Sequence, residues 1–189
     1  MLKMYLAPIG IAALLAGCAS MTVMSHVPLA TMSRLSTMTI SDVEPAELRV
    51  AARLPETLEP QRQGVKVRIR ASPTWEEFVL EAASEDRDLE PLASYARQGT
   101  RLWAFRLTAA DVARLQRITN GAGRDGASRS LEIAAGVDAC HRGLLSGDAL
   151  PTTTFLRTNR TGYFVLTEDL DLRTIASERD LATNVPACK

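Results

Sequence analysis

Apolar and polar residues alternate with a period of two along most of the chain beyond residue 45, and this pattern predicts β-strands. Period two places one face of each strand in the core and the other in water. The predicted strands are residues 48–54, 65–71, 75–82, 101–107, 130–139, 152–157 and 162–167, the last two forming a hairpin about residues 158–161.

One segment follows the helical period instead. Thr108 can accept a backbone N–H bond and Asp111 favours the positive end of a helix, so we predict a helix over residues 109–120. Gly121, after Asn120, is expected to end it. The apolar stripe of this helix consists of Ala109, Val112, Leu115 and Ile118.

A second, shorter helix is predicted near the amino terminus. Pro28 suits a first turn, where its missing N–H costs nothing. Leu29, Met32 and Leu35 recur at helical spacing and are expected to form its buried face. Residues 85–99 indicate a loop with one helical turn.

Together these elements predict an α+β fold. Consecutive strands joined by short turns favour antiparallel pairing, so we expect an antiparallel sheet or sandwich of about six or seven strands. The alternative is a barrel-like all-β domain with the longer helix as a plug. The chain has 189 residues, 46% of them hydrophobic, which is enough for a single globular domain over residues 28–189.

The first residues carry a different pattern. Lys3 precedes an apolar run over residues 4–17, which is shorter than the roughly 20 residues of a membrane-spanning helix and typical of a secretion signal. The tetrapeptide Leu15-Ala16-Gly17-Cys18 resembles the lipobox of bacterial lipoproteins. The resemblance implies that residues 1–17 are a signal peptide removed before Cys18. It also implies that Cys18 carries the lipid and that residues 18–27 are a tether.

The lipid anchor implies a location. Two or more acyl chains hold a protein stably on a membrane, so Cys18 would keep the domain at the bilayer. The next residue, Ala19, is not aspartate. By analogy with enteric bacteria, this implies the inner leaflet of the outer membrane, facing the periplasm, rather than the inner membrane.

The remaining cysteines, Cys140 and Cys188, suit an oxidising compartment. Two cysteines in an exported domain most simply form one disulfide, which would attach the carboxyl terminus to the domain. The alternative is a redox or metal site at Cys140-His141. No CxxC motif supports that alternative.

Charge suggests one binding surface. The chain carries 22 basic and 22 acidic residues, which does not favour nucleic acid as a partner. If the strands over residues 48–54 and 65–71 pair, however, their polar face collects five cations as candidate anion-binding residues. Glu77 and Glu81 on the next strand would neutralise part of this face. The five candidates are Arg49, Arg53, Lys66, Arg68 and Arg70.

Several motifs of cofactor and metal chemistry are absent or misplaced. The GxGxxG at residues 121–126 follows a predicted helix rather than a strand, which is the wrong order for a dinucleotide site. There is no GxSxG motif, and the run Glu85-Asp86-Arg87-Asp88 lacks calcium-loop spacing. His26 and His141 form no zinc motif. We therefore predict neither cofactor nor metal.

Two functions remain after these exclusions. The favoured one is a lipid-anchored binding or assembly module that contacts an envelope protein or glycan. The alternative is an envelope hydrolase, which would use Glu77, Asp169 or Asp171. The alternative requires two of these carboxylates to converge in an apolar cleft.

Overall fold

The computed structural model describes residues 25–189, except residues 72–73, 84–85, 125–131, 144 and 146–148. The predicted signal peptide and the lipobox with Cys18 lie outside the described residues. Within the described part of the chain, no helix is long and apolar enough to cross a membrane.

Strands dominate the described chain. They are β1 Arg49–Pro55, β2 Leu58–Ala71, β3 Thr74–Ala82, β4 Thr100–Leu107, β5 Ile133–His141, β6 Pro151–Thr158 and β7 Thr161–Asp171. The α-helices are α1 Leu29–Thr37, α2 Asp86–Leu89, α3 Ala109–Arg124, α4 Leu172–Ile175 and α5 Glu178–Asn184. Short 3₁₀ helices occupy Ile40–Asp42, Pro45–Glu47 and Glu90–Tyr95.

The seven described strands form one curled antiparallel sheet in the order β5-β2-β3-β4-β1-β6-β7, which confirms the α+β prediction. The pairing of β1 with β2, on which a shared cation face depended, does not occur. Only residues 56 and 57 separate these two strands, yet β1 pairs with β4 and β6, and β2 pairs with β3 and β5. Because β3 and β4 lie between β2 and β1 in the sheet, the five candidate cations are not on neighbouring strands and do not form one patch.

The main core fills the concave side of the sheet, and α3 packs against it through the fully buried Leu115. The helix runs to Arg124, so the expected end at Gly121 is wrong. A glycine ends a helix by taking a positive φ, and Gly121 does not do so. Other core residues include Val50, Val67, Ile69, Phe78, Phe105, Leu156 and Phe164.

A second, smaller core lies on the outer face of the sheet. Residues 86–95, which comprise α2 and the following 3₁₀ helix, lie across β1 and are called the cover segment below. Leu92 from this segment is fully buried against Ala51 of β1 and Phe155 of β6. The outer face of β1 is therefore not wet as predicted, because the cover segment excludes water from it.

The buried face of α1 also differs from the prediction. Leu29 is 82% exposed and Met32 is 38% exposed, whereas Thr31 is buried and Leu35 packs against the core. The Thr31 hydroxyl donates a hydrogen bond to the backbone carbonyl of Val165 in β7. This bond directs the Thr31 side of the helix toward the sheet.

β2 begins at Leu58, seven residues before the predicted start at Val65. Residues 61–64 interrupt the alternation because they form a bulge, and the pairing of β2 with β5 shifts register between Pro60 and Val65. Gly64 packs so closely that an added Cβ would lie 2.8 Å from the Asp138 carbonyl oxygen.

The structure joins Cys140 and Cys188, as predicted, with an S–S distance of 2.08 Å. The bond attaches the carboxyl-terminal tail to the end of β5. The tail also exchanges backbone hydrogen bonds with His141, which donates to Pro186 and accepts from Cys188, both at 2.9 Å.

We expect replacement of both cysteines, Cys140→Ala with Cys188→Ala, to lower the free energy of unfolding by up to about 4 kcal/mol. The bond closes a loop with a sequence separation of 48 residues, and cross-linking removes the entropy of that loop from the unfolded chain. Urea denaturation with and without reductant measures the change. Reductant should affect only the wild type, and equal stability of the variant and the oxidised wild type would contradict the expectation.

Candidate functional site

A cleft lies on the outer face, between one end of the cover segment and the β6–β7 hairpin. It has a volume of about 770 Å³ and is open to solvent. Its lining is mostly charged and polar: Glu47, Arg49, Asp88, Pro91, Tyr163 and residues 157–162. We call this feature the polar cleft.

A buried carboxylate lies at its centre. The side chain of Asp88 is only 5% exposed, and its Oδ1 lies 3.2 Å from Nε of Arg49 and 3.6 Å from Nη1 of Arg157. Arg49 extends from β1, and Arg157 lies opposite it in the register of β6. One carboxylate therefore contacts two guanidinium groups at this point.

The surrounding charges hold these groups in place. Arg157 also contacts Glu47 at 3.4 Å, while Arg49 donates through Nη1 to the backbone carbonyl of Ala46 at 2.7 Å. Arg160, at the tip of the β6–β7 turn, pairs with Asp42 at 2.8 Å. Hydrogen bonds from Thr39 lower the pKa of Asp42 despite partial burial, so this carboxylate stays charged.

Tyr163 forms part of the wall. Its hydroxyl oxygen is buried and has no hydrogen-bond partner among the described residues. Burial raises the pKa of Tyr163 to about 12, the charge of Asp88 acts in the same direction, and Arg157 and Arg49 oppose both. The hydroxyl is therefore a neutral donor at physiological pH that a bound ligand could satisfy.

This arrangement is suited to binding an anion. Guanidinium groups recognise carboxylates and phosphates through paired N–H donors, and Arg49 and Arg157 each have N–H groups that Asp88 does not use. Thr158, Asn159 and Thr161 add neutral donors and acceptors at the same rim. The cleft can therefore hold a polar molecule that carries a negative charge.

A second charged cluster lies at the other end of β1. Arg53 is 3% exposed and contacts Asp169 at 2.5 Å, Thr153 at 2.8 Å and the Tyr95 carbonyl oxygen at 3.0 Å. Arg97 contacts the other oxygen of Asp169 at 2.8 Å. Burial raises the pKa of Asp169, but the Arg97 hydrogen bond and the two positive charges outweigh it and lower the pKa overall. Arg53 is thus a structural cation, fully occupied by protein groups.

The other three predicted cations lie on β2, away from the polar cleft. Lys66 lies between Glu77 and Asp138, at 3.9 Å from each. Arg68 stacks on the ring of Trp75, with its Cζ 5.3 Å from the centroid, and Arg70 pairs with Glu132. Of the five candidates, the structure brings only Arg49 into the polar cleft.

The three acids of the hydrolase hypothesis do not converge. Glu77 is 51% exposed beside Lys66, and Asp169 is paired with Arg53. Asp171 caps α4 by accepting from the backbone N–H of Arg173 at 3.0 Å. These three residues therefore do not provide the paired carboxylates in an apolar cleft that the hypothesis requires.

The remaining sequence candidates also lie apart from the polar cleft. His26 contacts the Glu168 carbonyl oxygen at 2.9 Å near β7, and His141 lies beside the disulfide. Among the described residues, no three His, Cys, Asp or Glu side chains form a group that could hold a metal ion. The last residues of the GxGxxG motif lie outside the described residues.

Sequence reasoning missed Asp88, Arg157 and Tyr163. Arg157 ends the predicted strand over residues 152–157, and its spacing does not distinguish it from other strand residues. Asp88 belongs to an acidic run that indicates a solvated loop. A signal was present in the apolar residues Leu89 and Leu92 of the same segment, which favour contact with a sheet.

Comparison of the chain with models of protein families, with curated proteins and with solved structures finds no match. The case for function therefore depends on the geometry alone.

We expect Asp169→Asn to lower the free energy of unfolding by about 2 kcal/mol, because it leaves the buried Arg53 without a counterion. A fully buried pair would cost about 3–5 kcal/mol, but the Asp169 side chain is 40% exposed, which reduces the effect. Arg97→Ala is the matched control: its side chain is 54% exposed, so it should cost under about 1 kcal/mol.

The same variant has an expected pH dependence. Asp169 has a lowered pKa in the folded state, so its contribution to stability is complete above the unfolded pKa of about 4 and is lost as the pH falls through the folded value. Urea denaturation of wild type and Asp169→Asn between pH 7 and pH 2 measures this. A stability difference that stayed constant down to the lowest pH would contradict the assignment.

Proposed function

We propose that this protein is a lipid-anchored binding module of the bacterial cell envelope, held at the periplasmic face of the outer membrane, and that its polar cleft binds an anionic glycan. The observation that carries the proposal is the sharing of one buried carboxylate, Asp88, by Arg49 and Arg157 at an open cleft. The guanidinium N–H groups that Asp88 does not use favour a negatively charged ligand.

A glycan fits the rest of the cleft. Sugar hydroxyls both donate and accept hydrogen bonds, and the cleft offers the Thr161 hydroxyl and the Asn159 amide in its lining and the Tyr163 hydroxyl in its wall. Nucleic acid is a poorer candidate, because the whole chain has a formal net charge of zero.

The anchor supports an envelope location. Leu29, the first residue of α1, is the eleventh residue after Cys18, so a lipid on Cys18 would hold the domain close to the membrane. The disulfide of the domain is consistent with an oxidising compartment.

We expect Cys18→Ala to abolish lipidation and release the protein from the membrane fraction, because the acyl chains provide the attachment. Mass spectrometry and membrane fractionation of the full chain in a lipoprotein-processing bacterium measure both effects. The double variant Cys140→Ala with Cys188→Ala is the control and should remain membrane-bound. Unchanged mass and fractionation of Cys18→Ala would overturn the anchor.

We expect the domain to bind soluble peptidoglycan fragments, which carry carboxylates, more tightly than uncharged chito-oligosaccharides. Arg157→Gln should weaken this binding at least about tenfold, because it removes a charge-assisted bond, and added salt should weaken it too. Arg70→Gln is the matched control, since Arg70 is also an ion-paired strand arginine but lies outside the cleft. Isothermal titration calorimetry measures the affinities, and equal effects of the two variants would contradict the assignment.

A further inference from the structure

Helix α1 presents apolar side chains to solvent. Among the described residues, three large hydrophobic side chains are exposed, and two of them, Leu29 at 82% and Met32 at 38%, lie on this helix. They are one turn apart and therefore point to the same side of it. We call this side, which also carries the exposed Ser33 and Ser36, the exposed side of α1.

The exposed side carries no charge. Its four residues follow the helical spacing of three, four and seven. The Ser36 hydroxyl donates to the backbone carbonyl oxygen of Ser33 at 2.8 Å, so it is satisfied within the helix. The one charged residue of α1, Arg34, is directed elsewhere, with its Cζ 5.1 Å from the centroid of the Phe164 ring in β7. This side can therefore leave water without burying a charge.

Contacts with β7 fix the orientation of α1. The N–H of Glu168 donates to the carbonyl oxygen of His26 at 2.8 Å, and Nδ1 of His26 lies 2.9 Å from the Glu168 carbonyl oxygen. The Thr31 hydroxyl bonds to Val165 of the same strand, and Leu35 packs against the main core. These contacts hold the opposite side of the helix to the sheet, so the exposed side faces away from it.

The tether ends beside this surface. Ser25, where the described chain begins, is the seventh residue after Cys18, and seven extended residues span at most roughly 24 Å. A flexible chain of that length has an average end-to-end distance of roughly 15 Å. A lipid on Cys18 would therefore hold the start of α1 near the headgroups. Attachment makes a second contact with the same bilayer intramolecular, so a surface too small to bind a membrane alone becomes sufficient.

We propose that the exposed side of α1 is a membrane-contact surface, which places Leu29 and Met32 in the headgroup region of the bilayer that holds the lipid. The inference rests on the proposed anchor at Cys18 and adds an orientation of the domain relative to the membrane. A bilayer suits this side, because apolar side chains gain by leaving water at the acyl boundary. A second copy of this chain is a poorer occupant, because stable interfaces bury about 800 Å² on each partner and two side chains offer only a fraction of that.

The test couples the processed chain, which begins at Cys18, to phosphatidylcholine vesicles through a lipid with a maleimide headgroup. Cys140 and Cys188 are joined, so Cys18 carries the only free thiol. Leu29→Trp, combined with Trp75→Phe, places a fluorophore on the exposed side. Bromine atoms on lipid acyl chains quench tryptophans that contact them. We expect brominated vesicles to lower the emission of the introduced tryptophan at least about twofold, because surface helices lie at the acyl boundary.

Two glutamate variants of the Leu29→Trp chain provide a matched pair. Ser33→Glu places a charge on the exposed side and should abolish the quenching, because a charge resists leaving water. Gln116→Glu adds the same charge to an exposed position of α3 and should leave the quenching unchanged. The tethered wild type should not be quenched, because its Trp75 lies on β3, and three strands separate β3 from β7.

Equal emission of the tethered Leu29→Trp chain in brominated and plain vesicles overturns the contact, as do equal effects of the two glutamates. A dimer of the untethered wild type that dissociates on Leu29→Ser, measured by sedimentation velocity, would assign this side to a second copy and overturn it as well. The coupling is chemical, so none of these results depends on lipidation by the cell. Failure of the anchor is detected separately, by the fractionation of Cys18→Ala.

Discussion

The architecture depends on two arginines of one strand that hold the cover segment against the sheet. Arg49 binds Asp88 near the start of that segment, and Arg53 donates to the Tyr95 carbonyl oxygen at its end. Between these two attachments the outer face of β1 is closed to water. β1 is therefore buried on both faces. This is unusual for a strand that carries charged residues in an antiparallel sheet, because such sheets commonly expose one face to water.

Small side chains make this second layer possible. Ala51 and Ala104 lie side by side on the outer face. Their short side chains leave room for Leu92 of the cover segment to pack against the sheet beside Phe155 of β6. The layer is short, and a cluster of charged residues lies at each of its ends. At one end Arg53 is occupied by protein groups. At the other end Asp88 contacts both Arg49 and Arg157, which also contacts Glu47, beside an open cleft. The same anchoring that closes the sheet thus places two guanidinium groups at the wall of this cleft.

Periodicity identified the elements well because alternation and helical spacing are local properties. The strands, the long helix and the disulfide partners follow from short stretches of sequence. Pairing is not local, so the sequence could offer a pair of β1 with β2 only as a possibility, and in the structure these strands pair with other partners. The burial of Arg53 was missed for the same reason: its partner Asp169 lies on β7, more than a hundred residues away.

The order of strands in the sheet has a consequence for how the chain reaches its native state. Val50 on the central strand pairs with Phe105 on one side and with Leu156 on the other. That strand cannot be enclosed until nearly the whole polypeptide has been made, and sheets assembled from such distant partners form slowly. A chain that stays unfolded until its last hairpin has been synthesised can still pass through a narrow translocation channel, because such channels require an unfolded polypeptide.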